Sequence, residues 1–289
     1  MAAGRPYPPG VLKRLQDAET EILLVVDNVC RENGIDYFLM AGNLLGAVRH
    51  GGFIPWDDDT DIGMAWEDYC KFIEIAPKAL PEGYSLHTME NTPGFAPLWV
   101  KVYKDGTRFV DEIADEAGCD QGIFLDVLPF RRLNADEAAA WKQCKRGIFW
   151  QRMAYLHFLA HPNVPAKTSM RALKVFACKV AHYTVARAYS PATIKRKWEG
   201  VFDIPESQQG SNWMNASYTY NKLLGEDVIF PTKDMEYDGH IVRGPNNPDA
   251  FLRSEYKGDY MQYPPMEDRY THLPLVLDFG DGVNVMEGW

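Results

Sequence analysis

The chain has 289 residues, enough for a sizeable core, and its 46% apolar and 24% charged residues match a globular protein rather than a disordered or collagenous one. Its net charge of −10 argues against a general nucleic-acid binder, yet residues 131–199 carry 14 Lys or Arg against three acids, which leaves the remainder at −21. Five cysteines without a C-x-x-C pair exclude a disulfide framework and a zinc ribbon, and the absence of an apolar leader or a membrane-length apolar run gives the expectation of a cytoplasmic protein.

The spacing of Val11, Leu12, Leu15, Ala18, Ile22, Val25, Val26 and Val29 predicts an amphipathic helix over 11–33, stopped by Asn33 and Gly34. DYFLMA (36–41) reads as a short strand running through Gly42 into a helical NLLGAVRH, and GGFIPW as a loop. DTDIGM (59–64) alternates as a strand and WEDYCKFIEIAPKAL forms a further helix. PLWVKVYK (97–104) and GIFLDVLPF (122–130) are strands, the second so continuously apolar that it belongs in the middle of a sheet. From about 135 to 200 the chain turns helical and basic, broken at HPNVPA (161–166) and at Ser190 and Pro191. The last ninety residues show strand signals around 226–243 and a helix near 248–256. The fold class is α/β: a small mixed sheet flanked by helices, with a helical insertion and an irregular C-terminal region. Without a flexible linker, 1–289 reads as one integrated domain: a core over 1–130, a basic insertion over 131–200, and a C-terminal part over 201–289.

The chemistry concentrates in GNLLGAVRHGGFIPWDDDTDIGM (42–64), which holds four carboxylates in five positions. Side chains two apart on a strand share a face, so Asp59 and Asp61 converge while Asp58 points away. Two such carboxylates suit Mg²⁺, which takes few protein ligands and completes its octahedron with water and phosphate oxygens. Gly42, at a strand-to-helix turn, would let backbone N–H groups at a positive helix end approach a phosphate. Asp126 is the candidate third carboxylate, because a charge in an apolar strand needs a partner, either a metal or a residue such as Arg131. Arg49, His50 and Lys101 are candidate phosphate partners, and Trp56 either stacks on a base or caps the core.

YFLMAGNLLGAVRH, PWDDDTDIGM, WVKVYK, GIFLDVLPF and YKGDYMQYPPMEDRYTHLP together resemble, in order, the sequence blocks of the LicD family, phosphocholine transferases related to fukutin within the nucleotidyltransferase superfamily. The likeness covers most of the chain. Asn43 departs from the Ser or Thr usual after the glycine, and the basic insertion matches no family motif. The resemblance implies a nucleotidyltransferase-like fold and assigns Asp59, Asp61 and Asp126 to a Mg²⁺ or Mn²⁺ site. It also places Asp259 and His272 near that site. The implied reaction moves a phospho-alcohol group, typically phosphocholine from CDP-choline, to a sugar hydroxyl of a cell-surface glycan such as a teichoic acid or lipopolysaccharide, or of its lipid-linked precursor. CMP is released, and Asp126 orients or deprotonates the acceptor, help worth about 10² to 10⁴-fold. The same carboxylates also fit a nucleotidyltransferase acting on a nucleoside triphosphate, and Asp59-Thr60-Asp61 fits a D-x-D glycosyltransferase. The +11 segment, with Trp141, Phe149, Trp150, Tyr155 and Phe158 among its cations and with Lys167, Arg171 and Lys174 at helical spacing, is a candidate contact for an anionic membrane.

Overall fold

The computed structural model describes residues 2–3, 6–161, 170–217, 223–256 and 258–289. Lys167, Lys257 and most of the expected break at 161–166 lie outside the described residues. Strand β1 (Ala2–Ala3) precedes helix α1 (Val11–Asn33), which ends where Gly34 takes the left-handed conformation, φ 59°. Its apolar face buries Leu15, Ile22, Leu23 and Val26 in the main core. Strand β2 (Phe38–Leu39), helix α2 (Ala41–His50), strand β3 (Asp61–Ala65) and helix α3 (Trp66–Ala79) follow. Next come β4 (Tyr84–His87), β5 (Val100–Lys104), β6 (Arg108–Val110), α4 (Glu112–Ala117) and β7 (Ile123–Asn134).

The main sheet runs β2-β3-β7-β5-β4, with β3 parallel to β7 and the other neighbours antiparallel. Strand β7 is buried on both faces over most of its length, which is why its apolar run shows no alternation. It continues four residues beyond the expected end at Phe130, because Arg132 and Asn134 pair with strand β8 (Gln209–Asn215), which in turn pairs with β9 (Leu224–Gly225).

Between β7 and β8 lie α5 (Glu137–Phe158), α6 (Arg171–Ala181), a π-helical turn (His182–Ala186) and α7 (Pro191–Phe202). Ser190 caps α7 through the Thr193 N–H, with Pro191 in the first turn, so the expected break is a helix start. A second core forms here around Trp198, Phe202, Ile194, Cys144 and Ala154. Past β9 come α8 (Glu226–Ile229), the hairpin β10 (Lys233–Tyr237) and β11 (His240–Gly244), and α9 (Pro248–Glu255). The hairpin turns on Asp238 and Gly239, both at positive φ, the geometry an Asp-Gly pair favours. Finally β12 (Tyr270–Thr271) pairs with β1, and β13 (Val276–Asp278) with β6. This closure brings His272 to the sheet.

Candidate active site

Register builds the centre. Asp61 on β3 stands opposite Asp126 on β7, and Asp126 opposite Lys101 on β5, so three charged side chains form a row across adjacent strands about 4.8 Å apart. The Lys101 ammonium lies 3.0 Å from Asp126 Oδ1, and the Trp99 indole N–H donates to that oxygen at 2.7 Å. Asp126 therefore pairs with Lys101 rather than Arg131, whose guanidinium lies over the Trp66 ring and whose pKa burial lowers to about 10. Lys101, expected to meet phosphate directly, is the partner of a carboxylate.

Strand β3 begins at Asp61, two residues later than expected, yet the alternation already governs the segment before it. Thr60 turns toward Glu19 on α1, 3.4 Å from its carboxylate. Asp58 is buried and accepts the Tyr7 hydroxyl at 2.7 Å, the backbone N–H groups of His272 and Leu273, and contacts the His272 ring at 3.1 Å. It points away from the carboxylate row into a joint that ties the N-terminal segment to the C-terminal one. Asp59 meets the same ring, 3.7 Å from His272 Nδ1, and unlike Asp58 it lines a cavity of about 210 Å³ together with Lys101, Asp126 and His272. Trp99, Phe124 and Tyr155 supply aromatic walls to the same cavity.

The electrostatics follow from so many acids sharing one interior. Burial, then the charges of Asp59 and Asp126, push the Asp61 carboxyl well above the usual carboxylate range, opposed by Lys101. Burial also raises Asp59, with Asp58 and Asp126 adding to the shift and His272 opposing it. Asp57 and Glu19 rise for the same reasons, burial first and the neighbouring aspartates second. Burial disfavours a charged His272, but Asp59 and Asp58 outweigh it and bring the imidazole up to about 10. Two buried carboxylate oxygens, Glu19 Oε1 and Asp57 Oδ2, have no hydrogen-bond partner among the described residues. Hard oxygen donors held close at this cost fit a divalent cation such as Mg²⁺ or Mn²⁺. Asp58, Asp59 and His272 offer ligand atoms within 4.8 Å of one another.

Other expected site residues are placed differently. Gly42 lies inside the first turn of α2 rather than before it, and a side chain there would collide with the Asp57 carboxylate. The Asn43 amide is committed internally: its oxygen accepts the Asp61 N–H at 2.6 Å, and its NH₂ donates to the Tyr237 hydroxyl at 2.9 Å. Asn43 thus braces the start of β3, a role that Ser or Thr is too short to copy at both ends. Arg49 donates to the carbonyls of Tyr260 and Gln262, and His50 packs on Tyr263 and Trp56, so both secure the C-terminal segment outside the cavity lining. Trp56 lies under Arg269, 4.1 Å from the guanidinium, and is only partly buried against the core. Asp259 is exposed and bonds within its own turn, to the Met261 N–H and Gln262.

Trp99, Phe124 and Tyr155 were not singled out as site residues by the sequence. Trp99 had a signal, since it lies two residues before Lys101 and shares its face. Tyr155, on a helix that matches no motif, had none.

Residues 34–151 match the family model described as LicD/FKTN/FKRP, nucleotidyltransferase domain. The chain is 25% identical over 259 residues to the lipopolysaccharide cholinephosphotransferase LicD of Haemophilus influenzae, covering 84% of this chain and 89% of that protein. It is also 42% identical over 65 residues to the mouse ribitol 5-phosphate transferase FKRP, a stretch covering 22% of this chain and 12% of that protein.

Proposed function

The chain belongs to the LicD family through the domain at residues 34–151, and on that premise we propose that it transfers phosphocholine from CDP-choline to a sugar hydroxyl of a cell-surface glycan or its lipid-linked precursor. The observation that carries this reading is the Asp61–Asp126–Lys101 row opening, through Asp59, into a cavity with aromatic walls. The row supplies acid and cation for phosphoryl chemistry. Trp99 and Tyr155 offer π faces of the kind that hold a quaternary ammonium, whereas the Lys101 ammonium already lies over Phe124, 3.2 Å from its centroid.

Asp59, Asp61 and Asp126 are the residues that would hold Mg²⁺ or Mn²⁺, and a bound ion supplies positive charge against the donor diphosphate. The rest is the work of the chain's own groups. Asp126, oriented by Trp99 and Lys101, accepts the proton of the acceptor hydroxyl as its oxygen bonds to the choline-bearing phosphorus. The bond from that phosphorus to the CMP oxygen breaks, and CMP leaves with the electron pair. Lys101 and protonated His272, on opposite sides of the cavity acids, balance charge during transfer.

The test is incubation with Mg²⁺ or Mn²⁺, a glycan acceptor and a panel of CDP-choline, CDP-ethanolamine and CDP-ribitol, following CMP release and acceptor mass. CDP-choline is expected to react fastest, and only with the divalent ion. Preference for CDP-ribitol would reassign the transferred group; a UDP-sugar or nucleoside triphosphate as the only productive donor would overturn the reading.

A further inference from the structure

From α6 and the turn that follows it, we infer a docking surface for an anionic lipid bilayer. No side chain of α6 is buried. Leu173, Phe176, Val180 and Tyr183 are 60%, 64%, 46% and 65% exposed and recur at intervals of three or four residues, so they form one outward stripe. The turn that follows is fixed to α5: the His182 ring bonds the Leu156 carbonyl at 2.8 Å, and the His157 ring meets the Ala186 carbonyl at 3.1 Å. It anchors the C-terminal end of α6, whose apolar stripe faces outward.

Charge identifies the occupant. The sequence has no acidic residue between Glu137 and Glu199 and twelve Lys or Arg in that interval. Lys179 borders the stripe on the helix, the Arg187 guanidinium lies 5.9 Å from the Tyr183 ring, and neither cation forms an ion pair among the described residues. A second copy of the same stripe would bring cation against cation. An anionic bilayer satisfies both features, taking the apolar side chains into its interface while the cations meet its headgroups. No helix among the described residues is long and apolar enough to cross a membrane, so contact through α6 would be interfacial.

The surface also adjoins the site, since Leu156, the anchor of the π-helical turn, follows the cavity residue Tyr155 in sequence. Docking would set the cavity beside the headgroup layer, where a lipid-linked acceptor lies; that consequence, unlike the docking itself, rests on the proposed transfer activity.

The experiment is cosedimentation of the full chain with vesicles of phosphatidylcholine alone or mixed with phosphatidylglycerol. Binding is expected only to the anionic vesicles, weakened by salt. Lys179→Glu with Arg187→Glu should reduce it by at least tenfold, given about fivefold per basic residue near such a surface. Leu173→Asp with Phe176→Asp should reduce it similarly, with secondary structure and CMP release toward a soluble acceptor unchanged. Equal binding to neutral and anionic vesicles at low salt, or none to either, overturns the inference. So does a concentration-dependent dimer abolished by Phe176→Asp, which assigns the stripe to self-association. Loss of CMP release with retained vesicle binding refutes the transfer reading and leaves the docking surface standing.

Discussion

Two regions of the molecule break the ordinary rule of apolar inside and charged outside, in opposite directions. The β3–β7–β5 row buries Asp61, Asp126 and Lys101, with Glu19 and Asp58 beside them. The α6 region leaves Leu173, Phe176 and Tyr183 in solvent, with Lys179 and Arg187 beside them forming no ion pair among the described residues. Buried acids that raise one another's pKa are a standing cost to stability, and exposed aromatic side chains forgo a gain of about 1.5 to 3 kcal/mol each. On the proposed readings each departure is offset from outside the chain, by a cation and a charged donor at the sheet and by a bilayer surface at the helix.

The largest expected effect tests the first region. Asp59→Asn and Asp61→Asn each remove a carboxylate from the row, and transition-state charge stabilisation of several kcal/mol corresponds to about a thousandfold or more in rate. Both variants should lose transfer activity to that extent and melt no lower than wild type, because each removes a charge from a crowded interior. Near-normal turnover in either purified variant would remove the distinction between the regions.

Next comes the division within the acidic loop. Asp58 gathers donors from Tyr7, His272 and Leu273, whereas Asp59 lines the cavity. Asp58→Asn presents an NH₂ to those donors and should cost roughly 3–5 kcal/mol, as for one partner of a buried pair. That is a fall in melting temperature of about 10 °C. If melting is unchanged and activity alone is lost, Asp58 belongs with Asp59 and His272 as a ligand, and the joint it was assigned to is incidental.

A pH series sharpens the cost itself. Asp57, Asp59, Asp61 and Glu19 have folded-state pKa values above the ordinary carboxylate value, so the folded chain holds their protons more tightly than the unfolded chain does. The stability they contribute therefore falls as pH rises from the ordinary carboxylate range up to their folded values. His272, raised to about 10, acts in the same sense: its contribution is complete below about 6.5 and lost as pH rises through its folded value. Without divalent ions the melting temperature should decline from pH 5 to pH 9, less steeply in Asp61→Asn. Millimolar Mg²⁺ or Mn²⁺ should reverse the decline, by about 2.7 kcal/mol at a concentration 100 times the dissociation constant. A melting curve indifferent to both pH and metal would mean that these acids titrate alike in the folded and unfolded chains and carry no metal site.

How much of this was legible depended on which physical signal each residue carried. The β3 and β7 strands were readable, and Asp126 stood out because a charge breaking an apolar run is visible in one dimension. The alternation expected to turn Asp58 away from Asp59 did not foresee that both carboxylates meet the His272 ring. What could not be read was occupancy. The missing Cβ of Gly42 leaves room for the Asp57 carboxylate, and the Asn43 amide is committed to the Asp61 N–H and the Tyr237 hydroxyl, 194 residues away. Such long-range partners leave no periodic trace. The same holds for Tyr155, whose place in the cavity depends on how α5 packs.

Tyr155 gives a smaller effect that joins the two regions, because it reaches the sheet's cavity from the helical side. A cation–π contact is worth about 0.5–2 kcal/mol, so Tyr155→Ala should raise the KM for CDP-choline by roughly 2 to 30-fold with little change in kcat, and Tyr155→Phe should restore it. An equal effect on CDP-ribitol would show that Tyr155 shapes the cavity without reading the ammonium.

The smallest expected effect is on stability in the second region, and it decides whether the stripe is free. Truncating a buried aromatic costs about 3–5 kcal/mol, as for Phe130 or Phe251 here, which are 1% and 0% exposed. Phe176 is 64% exposed and has little to lose, so Phe176→Ser should change stability by no more than about 0.5 kcal/mol, a shift of ~2 °C or less. Differential scanning fluorimetry of Phe176→Ser against Phe251→Ala measures the contrast directly. A fall in Phe176→Ser comparable to the core variant would mean that the chain covers its own stripe in solution, leaving α6 an ordinary packed helix whose cations alone face outward.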